Sequence, residues 1–392
     1  MAIINRSGFP ILSTFDNLTK PTFAHSTIVW NMRNFDDADY YYCEYKTKDT
    51  FDIIKLDDVV NPDIKHNIKS GQCFLMMVNF HECFPNTIEP LIKHLVIQNE
   101  IPPQQIILGS GNPDMIQEVR RVSQKLGVEE IKVEWFLELE YAAQEQLTQP
   151  HYNRVGVRIP TLEHKSYPKT FLNLNRRWRM HRPTMIALLA NKNLLDKGYI
   201  SLGKSDDNND WEKVFWGIKE FNLASEEITK ILNEYEPFLK SMPDLYLDTE
   251  DLVTNRSFFD FSSHYLYENT LFSLVSETNF YTNPSIDSVG RFITEKTFKC
   301  IGLEHPFLLI TTANSLPLLH QLGYKTFHPY IDESYDQEPN DHKRLLKIVD
   351  EVERLCNLSD SEIEIFINEC RKIVVHNREN LLSKTHFTYK MN

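Results

Sequence analysis

The feature that most constrains this chain is an alternation of short apolar runs with amphipathic stretches, which begins near residue 72 and starts again near residue 170. Gln72–Phe80 (QCFLMMVNF) reads as a buried strand. A helix follows near 87–98, with Ile88, Leu91, Ile92 and Leu95 on one face. Gln104–Leu108 is the next strand and ends in Gly109-Ser110-Gly111. Asn112-Pro113-Asp114 opens a helix that runs to Leu126, where Gly127 stops it. Glu130–Phe136 is a further strand. Strand and helix in alternation predict a parallel sheet with helices packed on it, a Rossmann-like α/β unit.

Pro150, Pro160 and Pro168 in mixed polar sequence mark a crossing. Beyond it the pattern restarts. Strands are expected at 170–174, 199–202, 271–275, 307–310 and, as the short run Tyr324–Phe327, near 325. Helices are expected at 182–191, 211–221, 226–238 and 315–322, and two long amphipathic ones at about 340–356 and 360–383. The reading is therefore two α/β domains, 1–165 and 166–392, the second closing with helices. Three strand-like runs (26–32, 40–45 and 51–56) precede residue 70, with Asp36, Asp37 and Asp39 as a turn.

With 392 residues, 41% apolar content and only 12 glycines, the chain can bury two cores. A net charge of -13, spread evenly, repels duplex DNA and anionic lipid at long range but permits a local basic cleft. The six cysteines have neither CxxC nor metal-ligand spacing, so they read as free thiols in a reducing compartment. No run reaches the ~18 apolar residues of a membrane span, and the first fifteen residues have no signal-peptide core. A cytoplasmic protein without a membrane span is expected.

One segment carries chemistry. In Arg291–Phe307 (RFITEKTFKCIGLEHPF), Thr294 is suited to cap a helix that begins Glu295-Lys296-Thr297, and His305-Pro306 ends it before a buried strand. A helix start carries unpaired N–H groups and partial positive charge. Arg291 and Lys296 add full charges, and the set seeks phosphate. Glu295 suits the same ligand only if it accepts hydrogen bonds from sugar hydroxyls. A nucleotide diphosphate offers both groups. A solvated helix start is the plainer reading of the same residues.

The longer segment Leu271–Ile310 resembles the donor-binding segment of fucosyltransferase-like GT-B glycosyltransferases. The matching residues are Glu277, Ile293, Thr294, Glu295, Lys296, Gly302, Pro306 and Phe307. They cover about forty residues of the 392. The resemblance implies a GT-B-like architecture: an N-terminal acceptor domain, a C-terminal nucleotide-sugar domain, and a cleft between them. It implies Lys296 and Arg291 on the pyrophosphate, Glu295 on the ribose, and Glu277, with Thr278 and Asn279 near it, on the donor. It also implies transfer without an essential metal or other cofactor, and no Asp-x-Asp stands at a strand end. Members in the Golgi carry a membrane anchor, so a bacterial cell or a virus-infected host is the expected setting.

Four arginines lie in Arg176–Arg182 (RRWRMHR), at the exit of the first C-terminal strand. Arg176 and Arg177 are candidates for donor phosphate or acceptor, and Asn173 and Asn175 for sugar hydroxyls or for holding the loop. A surface patch paired with acids explains the same cluster. For the base that takes the acceptor's proton, Glu82 is the first candidate and His81 the second, with Asp114 third. Phe280, Tyr281 and Tyr330 are candidates to line a pocket. The acceptor is expected to be a glycan or surface polysaccharide. The alternatives are a phage-type enzyme that glycosylates 5-hydroxymethylcytosine in DNA, with Trp178 stacking on a base, and a non-catalytic binding protein on the same shell.

Overall fold

The computed structural model describes residues 26–31, 41–44, 62–71, 73–79, 88–135, 137–148, 159–160, 162–163, 165–175, 179–203, 217–218, 224–242, 264–282 and 290–384. The chain divides into two compact units, Met1–Tyr141 with Thr385–Asn392, and Ala142–Lys384.

The first unit holds a five-stranded sheet: β1 (Ser26–Asn31), β2 (Tyr41–Glu44), β3 (Cys73–Asn79), β4 (Ile106–Ser110) and β5 (Lys132–Trp135), in the order β2-β1-β3-β4-β5. β3, β4 and β5 are parallel, as the alternation predicts. β1 runs antiparallel to both β2 and β3, so the sheet is mixed. Positions 32–40 between β1 and β2 are fewer than a parallel crossover requires, which leaves antiparallel pairing as the open course. The helices are α1 (Pro62–Lys69), α2 (Ile88–Ile92, continued by a π-turn over Lys93–Gln98) and α3 (Met115–Leu126). Ile68, Leu91, Ile92, Leu95, Val119 and Val122 from these helices form one apolar cluster with Leu75, Ile106 and Leu108 of the sheet. Gly127 ends α3 in the left-handed region, at φ 67°. The helix start is shaped by Asn112, whose Oδ1 accepts from Asp114 N–H at 2.9 Å; Asp114 makes no capping bond with its own side chain.

α4 (Glu138–Thr148) spans the division between the units. In the second unit, β6 (Phe171–Asn173), β7 (Gly198–Ile200), β8 (Phe272–Ser276) and β9 (Phe307–Ile310) form a wholly parallel sheet, ordered β7-β6-β8-β9. All residues of β6, β8 and β9 are buried, the mark of strands covered on both faces. The helices are α5 (His181–Asn191), α6 (Glu226–Ser241), α7 (His264–Glu268), α8 (Glu295–Gly302), α9 (Leu316–Gln321), α10 (Asp341–Cys356) and α11 (Asp360–Ser383). α5 packs against α6 and α10, and α8 against α11. α5 is buried from His181 to Ala190, with Pro183 in its first turn. Ser359 starts α11 with a reciprocal capping box to Glu362.

The run Tyr324–Phe327 is not a strand. Its rings Tyr324 and Phe327 are buried as the pattern demands. Its backbone bonds go to side chains and to turns instead of a neighbouring strand: Lys325 N–H and C=O both meet the Asn377 amide at 2.8 Å, Phe327 N–H donates to Glu333, Tyr324 N–H donates to Leu319 O, and Phe327 O accepts from Tyr330 N–H. The strand-like run 51–56 and most of the helix expected at 211–221 lie outside the described residues.

Arg344 of α10 fastens the sheet's exits. It is 1% exposed. It donates to Phe280 O at 2.7 Å beyond β8, to Thr311 O at 3.0 Å beyond β9, to Glu338 O at 2.8 Å and to Asp341 at 2.5 Å. Its guanidinium lies 4.4 Å from the Phe280 ring centroid. Arg344→Met would leave three carbonyls without donors. We expect a loss of about 3–5 kcal/mol in urea unfolding, and a loss below ~1 kcal/mol would show that the clamp is unimportant.

His305 is buried between the starts of β8 and β9, with Nε2 3.0 Å from Thr270 O and Nδ1 2.9 Å from Ser273 Oγ. Burial lowers its pKa from 6.5 to about 4. The folded state thus binds fewer protons than the unfolded one, so this stability is present above pH ~6.5 and lost as pH falls towards 4. Buried Asp336, raised to about 6, acts in the opposite sense over part of that window. The wild-type curve therefore mixes the two, and the difference from His305→Gln isolates the imidazole. Between pH 7 and 5 the wild type should lose on the order of 2 kcal/mol more than His305→Gln. Parallel curves would contradict the assignment.

Candidate functional site

The second sheet reverses its winding between β6 and β8, since the strands in chain order stand second, first, third, fourth across it. Open parallel sheets bind ligands outside the carboxyl ends of their strands at this reversal. The exits of β6 and β8 are joined there by buried polar bonds. Asn173 Nδ2 donates to Leu274 O at 2.6 Å and to Ser276 Oγ at 3.3 Å. Arg182 donates to Ser276 O at 3.2 Å. His181 Nε2 lies 3.0 Å from Glu277 O, and because a carbonyl only accepts, that nitrogen carries the hydrogen. Burial, and then the Arg182 charge beside it, push the His181 pKa well below its ordinary value, so the ring is neutral at pH 7.

Glu277 follows β8 directly and is 0% exposed. Its Oε1 accepts from Thr294 N–H at 3.0 Å and from Thr297 Oγ1 at 2.5 Å, and its Oε2 accepts from Thr294 Oγ1. The carboxylate is therefore turned onto the start of α8. The resemblance implied that Glu277 meets a ligand directly; here its Oε1 takes two hydrogen bonds and its Oε2 one from the first turn of α8, which ties that turn to the end of β8. Thr294 caps α8, its hydroxyl accepting from Lys296 N–H at 3.4 Å. Phe298 and Ile301 anchor the helix face in the core.

Lys296 folds back over this start. Its Nζ donates to Glu295 Oε1 at 2.8 Å and to Thr294 Oγ1 at 2.9 Å, and stands 4.0 Å from Glu277 Oε2. The Lys296 side chain is 26% exposed and that of Glu295 23%, so both reach solvent. Burial pushes the Glu295 pKa up, but the Lys296 ammonium and hydrogen bonds from the backbone and Thr294 together hold the carboxyl below its ordinary value. Asn279 Nδ2 and Thr312 Oγ1 each donate to Gly290 O at 3.1 Å, in a turn where Gly290 has φ 97°. That turn delivers Arg291, whose Nη1 lies 3.5 Å from Asn314 O.

The structure thus brings Glu277, Thr294, Glu295 and Lys296 into one contact cluster, while Asn279 and Arg291 bond to Gly290 O and Asn314 O in the neighbouring turns. Asn175 is placed at the exits of β6 and β7. Its N–H donates to Ser201 Oγ at 3.0 Å, and its Nδ2 donates to Asn173 Oδ1 at 2.6 Å and to Ser201 O at 3.1 Å. Phe280 and Tyr281 are core residues; Phe280 stacks on His181 at 5.4 Å on one side and meets Arg344 on another. Tyr330 sits on the turn after Phe327, against Arg354. Arg176, Arg177, His81 and Glu82 lie outside the described residues.

The bond from Thr297 to Glu277 and the clamp made by Arg344 escaped the sequence reading. Arg344 left a signal, because it falls on the apolar stripe of α10 with Ile348, Val352 and Leu355. Among the described residues, no group of three His, Cys, Asp or Glu could hold a metal ion, and no helix is long and apolar enough to cross a membrane. Cys300, Cys356 and Cys370 are free thiols. The chain matches no protein-family model, and no curated protein or solved structure matches it.

If Glu277 holds the turn, Glu277→Ala strands one buried N–H and two buried hydroxyls. We expect a stability loss of about 3 kcal/mol by urea unfolding, and less for Glu277→Gln. Equal stability of all three proteins would show that the carboxylate organises nothing.

Proposed function

We propose that the protein is a glycosyltransferase of GT-B architecture, which moves a sugar from a nucleotide-diphosphate sugar to an acceptor hydroxyl. The observation that carries the reading is the partly exposed Lys296 ammonium at a capped helix start, on the carboxyl edge of a parallel sheet beside its winding reversal. The likeness of 271–310 to the fucosyltransferase-like donor segment supports the same assignment, as does the presence of parallel strands in each of the two units.

In this reading Lys296 and Arg291 contact the pyrophosphate and Glu295 accepts from ribose hydroxyls. Thr294 and Glu277 hold that turn in place, and Asn279 sets Arg291 through Gly290. The acceptor oxygen attacks the anomeric carbon as the bond to the phosphate oxygen breaks. The nucleotide diphosphate leaves with the bonding pair, and a base takes the acceptor proton. Fixed cations at the leaving group lower the barrier without reorganisation. Glu82, then His81, remain the proposed bases, and Arg176 and Arg177 proposed contacts to donor or acceptor. No metal or other cofactor is assigned a part. The proposed acceptor is a glycan or surface polysaccharide and the proposed compartment the cytoplasm; the arginine-rich 176–182 segment favours modified DNA as the second choice.

The test is a thermal-shift panel of UDP, GDP, ADP and CMP. At a hundredfold excess over Kd, one nucleotide should raise the melting point on the order of 5 °C. Lys296→Ala should keep its own melting point and lose most of that shift. A flat panel, with DNA alone stabilising the protein, would contradict the transferase reading.

A further inference from the structure

The Lys296–Glu295 pair has a consequence for which phosphates the site accepts. An anion arriving at the start of α8 must take Lys296 from Glu295 Oε1, which it meets at 2.8 Å. The Glu295 carboxylate, 23% exposed, then stands beside the new negative charge with no cation of its own on that oxygen. Bare phosphate or pyrophosphate offers nothing to relieve it. A ligand that also carries hydroxyl groups can donate to the released carboxylate.

A separate feature at the same sheet edge asks for the same chemistry. Asn175 is 1% exposed, and its amide hydrogens go to Asn173 Oδ1 and Ser201 O. Its Oδ1 has no donor. Flipping the amide would set Oδ1 against two acceptors, so the orientation is fixed by the network. A buried acceptor without a donor, at the exit of the strand next to β8, fits a hydrogen-bond donor from outside the chain.

We infer that Glu295 is a specificity-determining residue that, by occupying Lys296 in the free protein, turns away simple phosphate anions in favour of phosphate esters bearing hydroxyl groups. The inference rests on the proposed nucleotide-sugar reading and narrows it. The site is selective because the Glu295 carboxylate needs a donor from the same molecule whose phosphate holds Lys296; Asn175 Oδ1, at the same carboxyl edge, is a second acceptor without a donor.

Calorimetric titration of the full chain separates the terms. Three probes are used: the best nucleoside diphosphate of the panel, its 2′,3′-dideoxy analogue, and inorganic pyrophosphate. The wild type should bind the nucleoside diphosphate at least about tenfold more tightly than either of the others. In Glu295→Gln, pyrophosphate should bind up to about fivefold more tightly, as a partly exposed competing ion pair is removed. The nucleoside diphosphate should bind more weakly, and its advantage over the dideoxy analogue should shrink. Glu295→Ala, with its melting point recorded without ligand, should show the same gain for pyrophosphate. Unchanged or weaker pyrophosphate binding in both variants overturns the selectivity while leaving the nucleotide site standing. A wild type that binds none of the three probes removes the nucleotide reading and the selectivity together.

Discussion

The carboxyl edge of the second unit's sheet depends on one buried carboxylate. Glu277 receives a backbone N–H and two hydroxyls from the first turn of α8, with a lysine ammonium 4.0 Å away. A carboxylate removed from water is tolerable only when such donors replace its hydration. The same bonds fix where α8 begins, and therefore where Lys296 and Glu295 emerge. Without Glu277, the helix start would still be capped by Thr294, but the cap would be untied from the strand that precedes it.

That tie matters because of where β8 lies. The winding reversal puts the exits of β6 and β8 side by side, and Asn173, His181 and Arg182 lock them together from the β6 side. Arg344 does the same between β8 and β9. The polar groups at this edge are mostly committed to the fold, and that commitment gives the few exposed ones a fixed geometry. Lys296, Glu295 and Arg291 are displayed on a frame of buried hydrogen bonds, the arrangement that lets charged side chains act on a ligand without first being ordered.

Much of this was legible in the sequence. Period and punctuation located α3, α8, α10 and α11 closely, because each has a stripe of apolar residues bounded by a cap or a glycine. The Thr294 cap followed from the residue type at that position. Two things could not be read. The antiparallel course of β1 depends on pairing partners, which no local pattern encodes. The state of 324–327 depends on Asn377 and Glu333, whose side chains replace a strand neighbour from elsewhere in the chain. At the candidate site, the charges of Arg291, Glu295 and Lys296 were visible, but the inward turn of Glu277 was not. A carboxylate after a buried strand can face outward or fold onto the next helix, and the two threonines at 294 and 297 decide it.

Where the phosphates sit in a bound complex decides whether the start of α8 is the binding site. A crystal structure with the best-binding nucleotide diphosphate should show a phosphate oxygen roughly 3 Å from Lys296 Nζ at the start of α8, with the Glu295 contact exchanged for ligand hydroxyls. Phosphates seated away from that turn, with Lys296 still resting on Glu295, would contradict it.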